Sequence, residues 1–197
     1  MFTEYVAGAV VGYLLGSIPV SLLVGRAHGI DLREVGDGNP GAWNALDHLG
    51  PRRAAPAFLG DAAKALAAGL AGLAIGGYWV AFAAVAGAMV GHAFPVFASF
   101  RGGKAVMCFV GGAFALSPFA ALLALVLCGA VTAGARSFGW GARAGVFAYP
   151  ALQLPFDPVD RVAGTGALMC IIGALFALAR LRRSGRATSS SAAGSTG

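Results

Sequence analysis

Charged side chains are scarce in this sequence. They make up 11% of the 197 residues, whereas 58% of the residues are hydrophobic. An ordinary soluble domain carries about 25% charged residues, so this composition excludes one and predicts a membrane protein. Lys and Arg number 14 against 8 Asp and Glu. Because membrane proteins concentrate basic residues in their cytoplasmic loops, this excess indicates topology rather than nucleic-acid binding.

Cysteine is rare as well. Cys108, Cys128 and Cys170 each lie inside an apolar run, without a Cys-x-x-Cys motif or a His at metal-ligand spacing. We interpret them as small packing residues. The sequence also lacks a basic residue before its first apolar stretch, and a signal peptide needs one. The first segment is therefore predicted to remain as a membrane helix.

The long apolar runs are of a length that crosses a hydrocarbon core of about 30 Å. Residues 105–135 contain no charge, so they form either one long helix or two helices that turn at Ser117-Pro118. Two helices return Arg136 and Arg143 to the side of the other basic loops, as the positive-inside rule favours. The predicted spans then cover residues 5–24, 54–76, 78–98, two helices within 105–135, 144–156 and 162–179, with a kink at Pro19.

The sequence thus predicts an all-α polytopic membrane protein of about seven spans, within a range of five to seven. We expect the N-terminus outside and the C-terminus in the cytoplasm. Residues 1–183 are predicted to form a single domain. Residues 184–197 are mostly Ser, Thr, Ala and Gly, and such a tail is predicted to be disordered.

Three polar clusters break the apolar pattern, and this topology places all three at one membrane face. The first runs from Gly36 to Asn44 in the polar loop of residues 25–53. Its alternating glycines allow backbone N–H groups to approach a phosphate, although Gly, Asn and Pro also form ordinary turns. The second is Asp61 with Lys64, which either form a simple ion pair inside the membrane or face a substrate.

The third cluster runs from Gly91 to Lys104. Arg101 and Lys104 flank two glycines just before an apolar helix, an arrangement suited to an anion. These cations could instead anchor to lipid headgroups. His92 could be a proton-transfer group or a hydrogen-bonded packing residue.

In order and spacing, these clusters resemble the bacterial acyltransferases that use acyl phosphate to acylate glycerol 3-phosphate. Gly16-Ser17-Ile18-Pro19, Gly29 to Arg33 and the Gly36 to Asn44 loop match the first block of that family. Asp61-Ala62-Ala63-Lys64 is similar to the second block, and Gly91 to Lys104 to the third. The resemblance covers most of residues 12–110.

The resemblance implies transfer of a fatty acyl group from acyl phosphate to glycerol 3-phosphate, in phospholipid biosynthesis at the bacterial inner membrane. The products would be 1-acylglycerol 3-phosphate and phosphate, formed at the cytoplasmic face without metal or cofactor. The implied partners are the two substrates, membrane lipid and an acyl-phosphate-producing enzyme, and not nucleic acid. The implied catalytic residues are His92, Lys104 and Asn44. The implied phosphate-binding residues are Arg33, Gly38, Asn39, Gly41, Lys64, Arg101, Gly102 and Gly103.

The sequence departs from the family pattern at two charged positions. Asp37 stands where the family has Ser, and Asp47 where it usually has Arg, so each brings a carboxylate near an anionic substrate. The family's late His and Asn are also absent. These departures support an alternative, a catalytically impaired paralogue that binds lipid precursors or partner proteins. Protonation of Asp37, or its pairing with Arg33, would reconcile Asp37 with activity. A transporter is a third interpretation, but the halves show no repeat.

Overall fold

The computed structural model describes residues 1–193, and the side chains of residues 1–181. The described residues form helices and connecting turns, with no strand among them, so the all-α prediction is confirmed. The helices are α1 (Phe2–Gly16), α2 (Val20–Ala27), α3 (Ala42–Gly76), α4 (Tyr78–Ala93), α5 (Val106–Leu116), α6 (Pro118–Ala135), α7 (Phe138–Gln153) and α8 (Val159–Ala193). A short 3-10 turn, Val96–Ala98, follows α4.

Proline sets two of the helix boundaries. The first span breaks between Gly16 and Val20, which confirms the predicted kink at Pro19, the N-cap of α2. The uncharged stretch is two helices, as the sequence favoured. Ser117 adopts the extended conformation that a residue before proline prefers, and Pro118 begins α6.

The third helix begins earlier than the sequence suggests. Residues 42–49, predicted to belong to the polar loop, are helical, and Gly50 then introduces a bend with a φ of 76°. Pro51 follows at the first position of the next helical segment, where its missing N–H costs nothing. The bend places the polar residues 42–49 beside the loop that precedes them.

Five helical segments among the described residues are long and apolar enough to cross a membrane: 2–27, 42–76, 78–98, 118–135 and 159–181. The apolar helix α5 is shorter, and α7 lies between α6 and α8. The described residues therefore form a polytopic helical protein of seven helical segments, five of them long enough to span, if the kinked α1–α2 segment counts as one. Residues 154–158 connect α7 to α8, so α7 begins and ends earlier than the predicted span of residues 144–156.

Close backbone contact between α1 and α4 organises the bundle. Gly8, Gly12 and Gly16 lie in turn against Val80, Ala84 and Ala88, so the two helices run parallel. A Cβ atom on Gly12 would meet the Ala84 carbonyl oxygen at 1.9 Å. Small residues on both helices thus allow the backbones to touch, as is common between membrane helices.

The polar loops gather at one end of the bundle. Lys104, just before α5, contacts Asp37 in the first loop, and Trp43 of α3 stacks on Phe138 of α7. At the opposite end Glu4 lies beside Gly76, and Arg161 lies over the ring of Tyr78. The three clusters found in the sequence therefore share one end, which we call the loop end.

The final helix continues into the segment predicted to be disordered. The structure extends α8 to Ala193, where the sequence favours disorder from residue 184. Adding residues to an existing helix avoids the cost of nucleation, so a preceding apolar helix can carry Ser and Ala into its last turns. The remainder of the predicted tail, residues 194–197, lies outside the described residues.

Candidate functional site

A buried carboxylate joins three helices near the loop end. Asp61 of α3 accepts a hydrogen bond from the Ser21 hydroxyl of α2 at 2.5 Å. Its other oxygen lies 2.8 Å from Lys64 Nζ and 3.5 Å from His92 Nδ1 of α4. Lys64 also donates to the carbonyl oxygen of Ile18 at 2.7 Å. Because Asp61 is only 1% exposed, this carboxylate fixes the positions of side chains from three separate segments.

Gly102 and Gly103 form the floor between two clefts. The Gly102 N–H donates to the Ala93 carbonyl at 3.2 Å, and the Gly103 N–H donates to the His92 carbonyl at 3.0 Å. A Cβ atom on Gly103 would lie 2.3 Å from His92 Nε2. The absence of a side chain at Gly103 therefore lets the loop lie directly on the imidazole ring.

The first cleft holds the buried cluster. The free space between its walls is about 240 Å³, part of it open to solvent. Its polar wall is formed by Ser21, Asp61, Lys64, His92 and Arg101, and the glycine floor and Pro40 complete it. Two cations, a hydroxyl and an imidazole thus surround a space at the loop end, a combination that suits a small anionic ligand carrying hydroxyl groups.

The second cleft lies on the other side of the glycine floor and has a volume of about 300 Å³. Asn39 and Lys104 supply its polar groups, and α8 supplies an apolar wall of Leu175, Leu178 and Ala179. Lys104 Nζ lies 2.9 Å from Asp37 Oδ2 and 4.8 Å from the ring centroid of Phe176. This cleft combines a cation with an apolar surface on the helix that packs loosely against the bundle.

The first loop is held by its own side chains. Arg33 binds Asp31 through two donors, Nε at 3.0 Å and Nη2 at 2.6 Å. The hydrogen bonds from Arg33 hold the pKa of Asp31 well below its ordinary value, and the carboxylate raises the pKa of Arg33. Asn44 is buried, and its amide donates to the carbonyl oxygens of Leu32 and Val35 at 2.8 and 3.1 Å. These contacts shape the loop beside the clefts.

Comparison with known proteins shows which family has this sequence and fold. A family model described as glycerol-3-phosphate acyltransferase matches residues 6–189, nearly the whole chain. The chain belongs to the glycerol-3-phosphate acyltransferase family. Its long apolar helices are consistent with the integral membrane character of a similar protein of known structure.

Two curated relatives carry the family name. The protein of Rubrobacter xylanophilus is 48% identical to this chain over 55% of the chain. The match covers 55% of that relative, so the chain spans about half of its length. The protein of Rhizobium meliloti is 38% identical over 88% of this chain and 85% of its own length. A crystal structure of PlsY, an integral membrane glycerol 3-phosphate acyltransferase in its glycerol 3-phosphate form, is 27% identical. It matches with a TM-score of 0.76 over 94% of this chain and 92% of its own.

Within this family framework, the structure brings most of the predicted site residues together. Those that line a cleft are Asn39, Lys64, His92, Arg101, Gly102, Gly103 and Lys104. Gly38 adopts a φ of 68° in the loop that carries Asn39, and Gly41 packs against the Asn39 side chain. Their direct contact with phosphate stays a prediction.

Three observations bear on the predicted roles, and phosphate binding by these residues stays a prediction. The N–H groups of Gly102 and Gly103 donate to carbonyl oxygens in this structure, where these glycines provide close packing. Asn44 and Arg33 do not line either cleft. The Asn44 amide donates to a loop carbonyl, and the Arg33 guanidinium forms an ion pair with Asp31. Asp37 pairs with Lys104, and not with Arg33, because the loop turns it toward the start of α5.

Sequence reasoning missed the role of Ser21 and understated that of Asp61. Ser21 lies in an apolar helix just after the Gly16 to Pro19 match, and only its hydrogen bond to Asp61 reveals its role. The sequence indicated Asp61 as a charge inside the membrane. Its contact with His92 on another helix, at 3.5 Å, has no local sequence signal. Among the described residues, no group of three or more His, Cys, Asp or Glu side chains could hold a metal ion.

Proposed function

We propose that this chain transfers a fatty acyl group from acyl phosphate to glycerol 3-phosphate, giving 1-acylglycerol 3-phosphate and inorganic phosphate. The observation that carries the proposal is the convergence of Lys64, Arg101 and Lys104 on two adjacent clefts that share the glycine floor, with His92 in the wall of the first cleft. Both substrates bear a phosphate, so two anion sites side by side fit this reaction. Family membership and the glycerol 3-phosphate form of the similar PlsY structure support the same substrates.

The reaction needs close positioning more than a covalent intermediate. A hydroxyl oxygen of glycerol 3-phosphate attacks the acyl carbonyl carbon, and the bond from that carbon to the phosphate oxygen breaks. The hydroxyl proton leaves as the new ester forms, and inorganic phosphate is released. Holding the hydroxyl and the carbonyl about 3 Å apart supplies much of the rate enhancement. Gly102 and Gly103 line both clefts, so the two substrates would meet beside them.

His92 is the group we assign to the attacking hydroxyl. Its Nδ1 faces Asp61, its Nε2 lies against Gly103, and the ring lines the first cleft, where the acceptor hydroxyl would bind. Asp61 acts through His92 and Lys64 and is therefore a positioning residue. Lys64 and Arg101 bind the phosphate of glycerol 3-phosphate in this assignment, whereas Lys104 and Asn39 face the acyl phosphate.

The apolar wall of the second cleft supports entry of the acyl chain from lipid. Leu175, Leu178 and Ala179 belong to α8, whose outer surface is largely exposed in the structure. An acyl chain can lie along this wall while its phosphate reaches Lys104. The lipid-soluble product can leave by the same route into the membrane.

Charge distribution supports a cytoplasmic site in a bacterial inner membrane. The loop end carries most of the basic residues, whereas Arg161 lies at the opposite end beside Tyr78. Under the positive-inside rule the loop end is cytoplasmic and the N-terminus lies outside. Residues 1–183 act as one domain in this proposal.

The loop end then faces the water-soluble acceptor and any enzyme that delivers acyl phosphate. The basic residues of the loop end are Arg26, Arg33, Arg52, Arg53, Arg101, Lys104, Arg136 and Arg143.

The test is release of inorganic phosphate from palmitoyl phosphate by the detergent-purified protein, with and without glycerol 3-phosphate. We expect release that depends on the acceptor, equals lysophosphatidate formation and is lost in Lys104→Ala. Gly129→Ala on α6 is the matched control, since a Cβ atom there meets open space. Binding without release would favour the alternative, an impaired paralogue that binds lipid precursors, and would refute the proposed activity.

A further inference from the structure

We infer that the Asp37 carboxylate pairs with Lys104 in place of the substrate phosphate, and thereby sets how tightly this cleft binds acyl phosphate. This inference rests on the proposed function, because it takes Lys104 as the cation that receives the acyl phosphate. It makes Asp37 an affinity-determining residue that the ligand must displace.

The ion pair joins two loops that the sequence keeps far apart. Lys104 Nζ lies 2.9 Å from Asp37 Oδ2, in a contact that spans 67 positions along the chain. The side chains of Lys104 and Asp37 are 18% and 31% exposed. The cation is therefore accessible from the second cleft, and a negative group already neutralises it.

The first loop holds the carboxylate in place. Asp37 Oδ1 accepts a hydrogen bond from the Asn39 N–H at 3.0 Å, which leaves Oδ2 for Lys104. Gly36 and Gly38 flank it with φ values of 57° and 68°, a left-handed conformation that glycine adopts without strain. Asn39 lines the second cleft beside Lys104. The carboxylate is thus positioned by a shaped turn next to the cleft.

Among the described ion pairs around the site, the pair of Lys104 and Asp37 is the best placed for exchange with a ligand. The pair of Lys64 and Asp61 is almost fully buried, and separating it would strand a charge. Asp31, which pairs with both Arg33 and Arg26, does not line either cleft. The pair of Lys104 and Asp37 joins a partly exposed carboxylate to a cleft wall.

Displacement lowers the affinity of the cleft for every anion that binds Lys104. The apparent dissociation constant rises by the reciprocal of the fraction of molecules in which Lys104 is unpaired, and this fraction is a property of the protein rather than of the ligand. A phosphate carries more charge and more acceptor oxygens than a carboxylate, so it binds Lys104 more tightly than a fatty acid does whether or not Asp37 is present. We therefore expect removal of the carboxylate to raise the affinity for both ligands by a similar factor.

The experiment compares Asp37→Asn with Glu34→Gln, which removes an exposed charge from the same loop. Asp37→Asn keeps the side-chain oxygen that accepts the Asn39 N–H and removes only the charge. Binding of palmitoyl phosphate and of palmitate is measured by titration calorimetry in detergent, and KM and kcat by phosphate release. We expect Asp37→Asn to tighten palmitoyl phosphate binding about fivefold, as for a partly exposed ion pair, and palmitate binding by a similar factor. The value of kcat should change less than twofold.

Two further variants make the result decisive. Asp37→Ser, which also retains an oxygen acceptor, should reproduce the effect if Asp37→Asn fails to fold. In a Lys104→Ala background, Asp37→Asn should give no gain. Unchanged or weaker binding in Asp37→Asn, or the same gain in Glu34→Gln, would overturn the inference. Because binding is measured without turnover, a protein that forms no product would refute the proposed function while this comparison still decides the inference.

Discussion

Lys64 Nζ lies 2.8 Å from Asp61 Oδ1, one helical turn along α3, and both side chains are almost completely buried. Asp61 also holds Ser21 of α2 and lies beside His92 of α4. The pair therefore serves the fold and the site together. Removing one partner from such a pair leaves an uncompensated charge and costs about 3–5 kcal/mol.

Asp61→Asn is expected to destabilise the protein by about 3 kcal/mol or more and to lower kcat, because Lys64 and His92 both lose their anionic partner. Thermal unfolding in detergent and acceptor-dependent phosphate release provide the two readouts. Asp47→Asn on the same helix is the control, since Asp47 is exposed. The double variant Asp61→Leu, Lys64→Met should regain stability and remain inactive. Equal activity of Asp61→Asn and wild type would remove Asp61 from its positioning role.

Gly103→Ala tests the contact between the glycine floor and His92. The new Cβ atom would lie 2.3 Å from His92 Nε2, so either the ring or the loop must move. A shift of about 1 Å in a catalytic group can cost on the order of 100-fold in rate, and we expect a loss of kcat of that size. Gly129→Ala should leave kcat unchanged. Normal turnover in Gly103→Ala would show that the position of His92 does not limit the reaction.

The ion pair of Asp31 and Arg33 predicts a specific pH dependence. Arg33 lowers the pKa of Asp31 below its ordinary value of 3.8, so the carboxylate stabilises the folded loop at every pH above that value. This contribution is lost only as the pH falls through the lower folded pKa. The difference in melting temperature between wild type and Asp31→Asn should therefore be constant from pH 8 to 5 and shrink below about pH 4. A difference that disappears by pH 5 would contradict this assignment.

Much of the fold follows from local sequence signals. Pro19 and Pro118 each lack an N–H, so the breaks at both were predictable. The absence of charge from residues 105–135, combined with the positive-inside rule, favoured two helices there over one. The early start of α3 was missed because residues 42–49 are polar, and the bend at Gly50 separates them from the apolar run.

The sequence predicted which residues form the site, but not how their side chains and backbone groups contact one another. Local motifs identified His92, Arg101 and Lys104, because a cluster of polar residues between apolar spans is costly and indicates function. These motifs did not indicate which backbone N–H groups are free to bind a ligand. Gly102 and Gly103 supply N–H groups to α4 carbonyls, and this pairing depends on how the loop folds back.

The sequence by itself determined the helical membrane class, the turns at proline and glycine, and the gathering of three polar clusters at one face. Each of these depends on the hydrophobicity or backbone freedom of neighbouring residues. Only the tertiary structure decided which charges pair. Asp37 meets Lys104 across 67 positions, and Asp61 meets His92 across a helix interface. Such contacts depend on the packing of helices distant in sequence, and a side-chain pattern along one chain segment does not encode their distances.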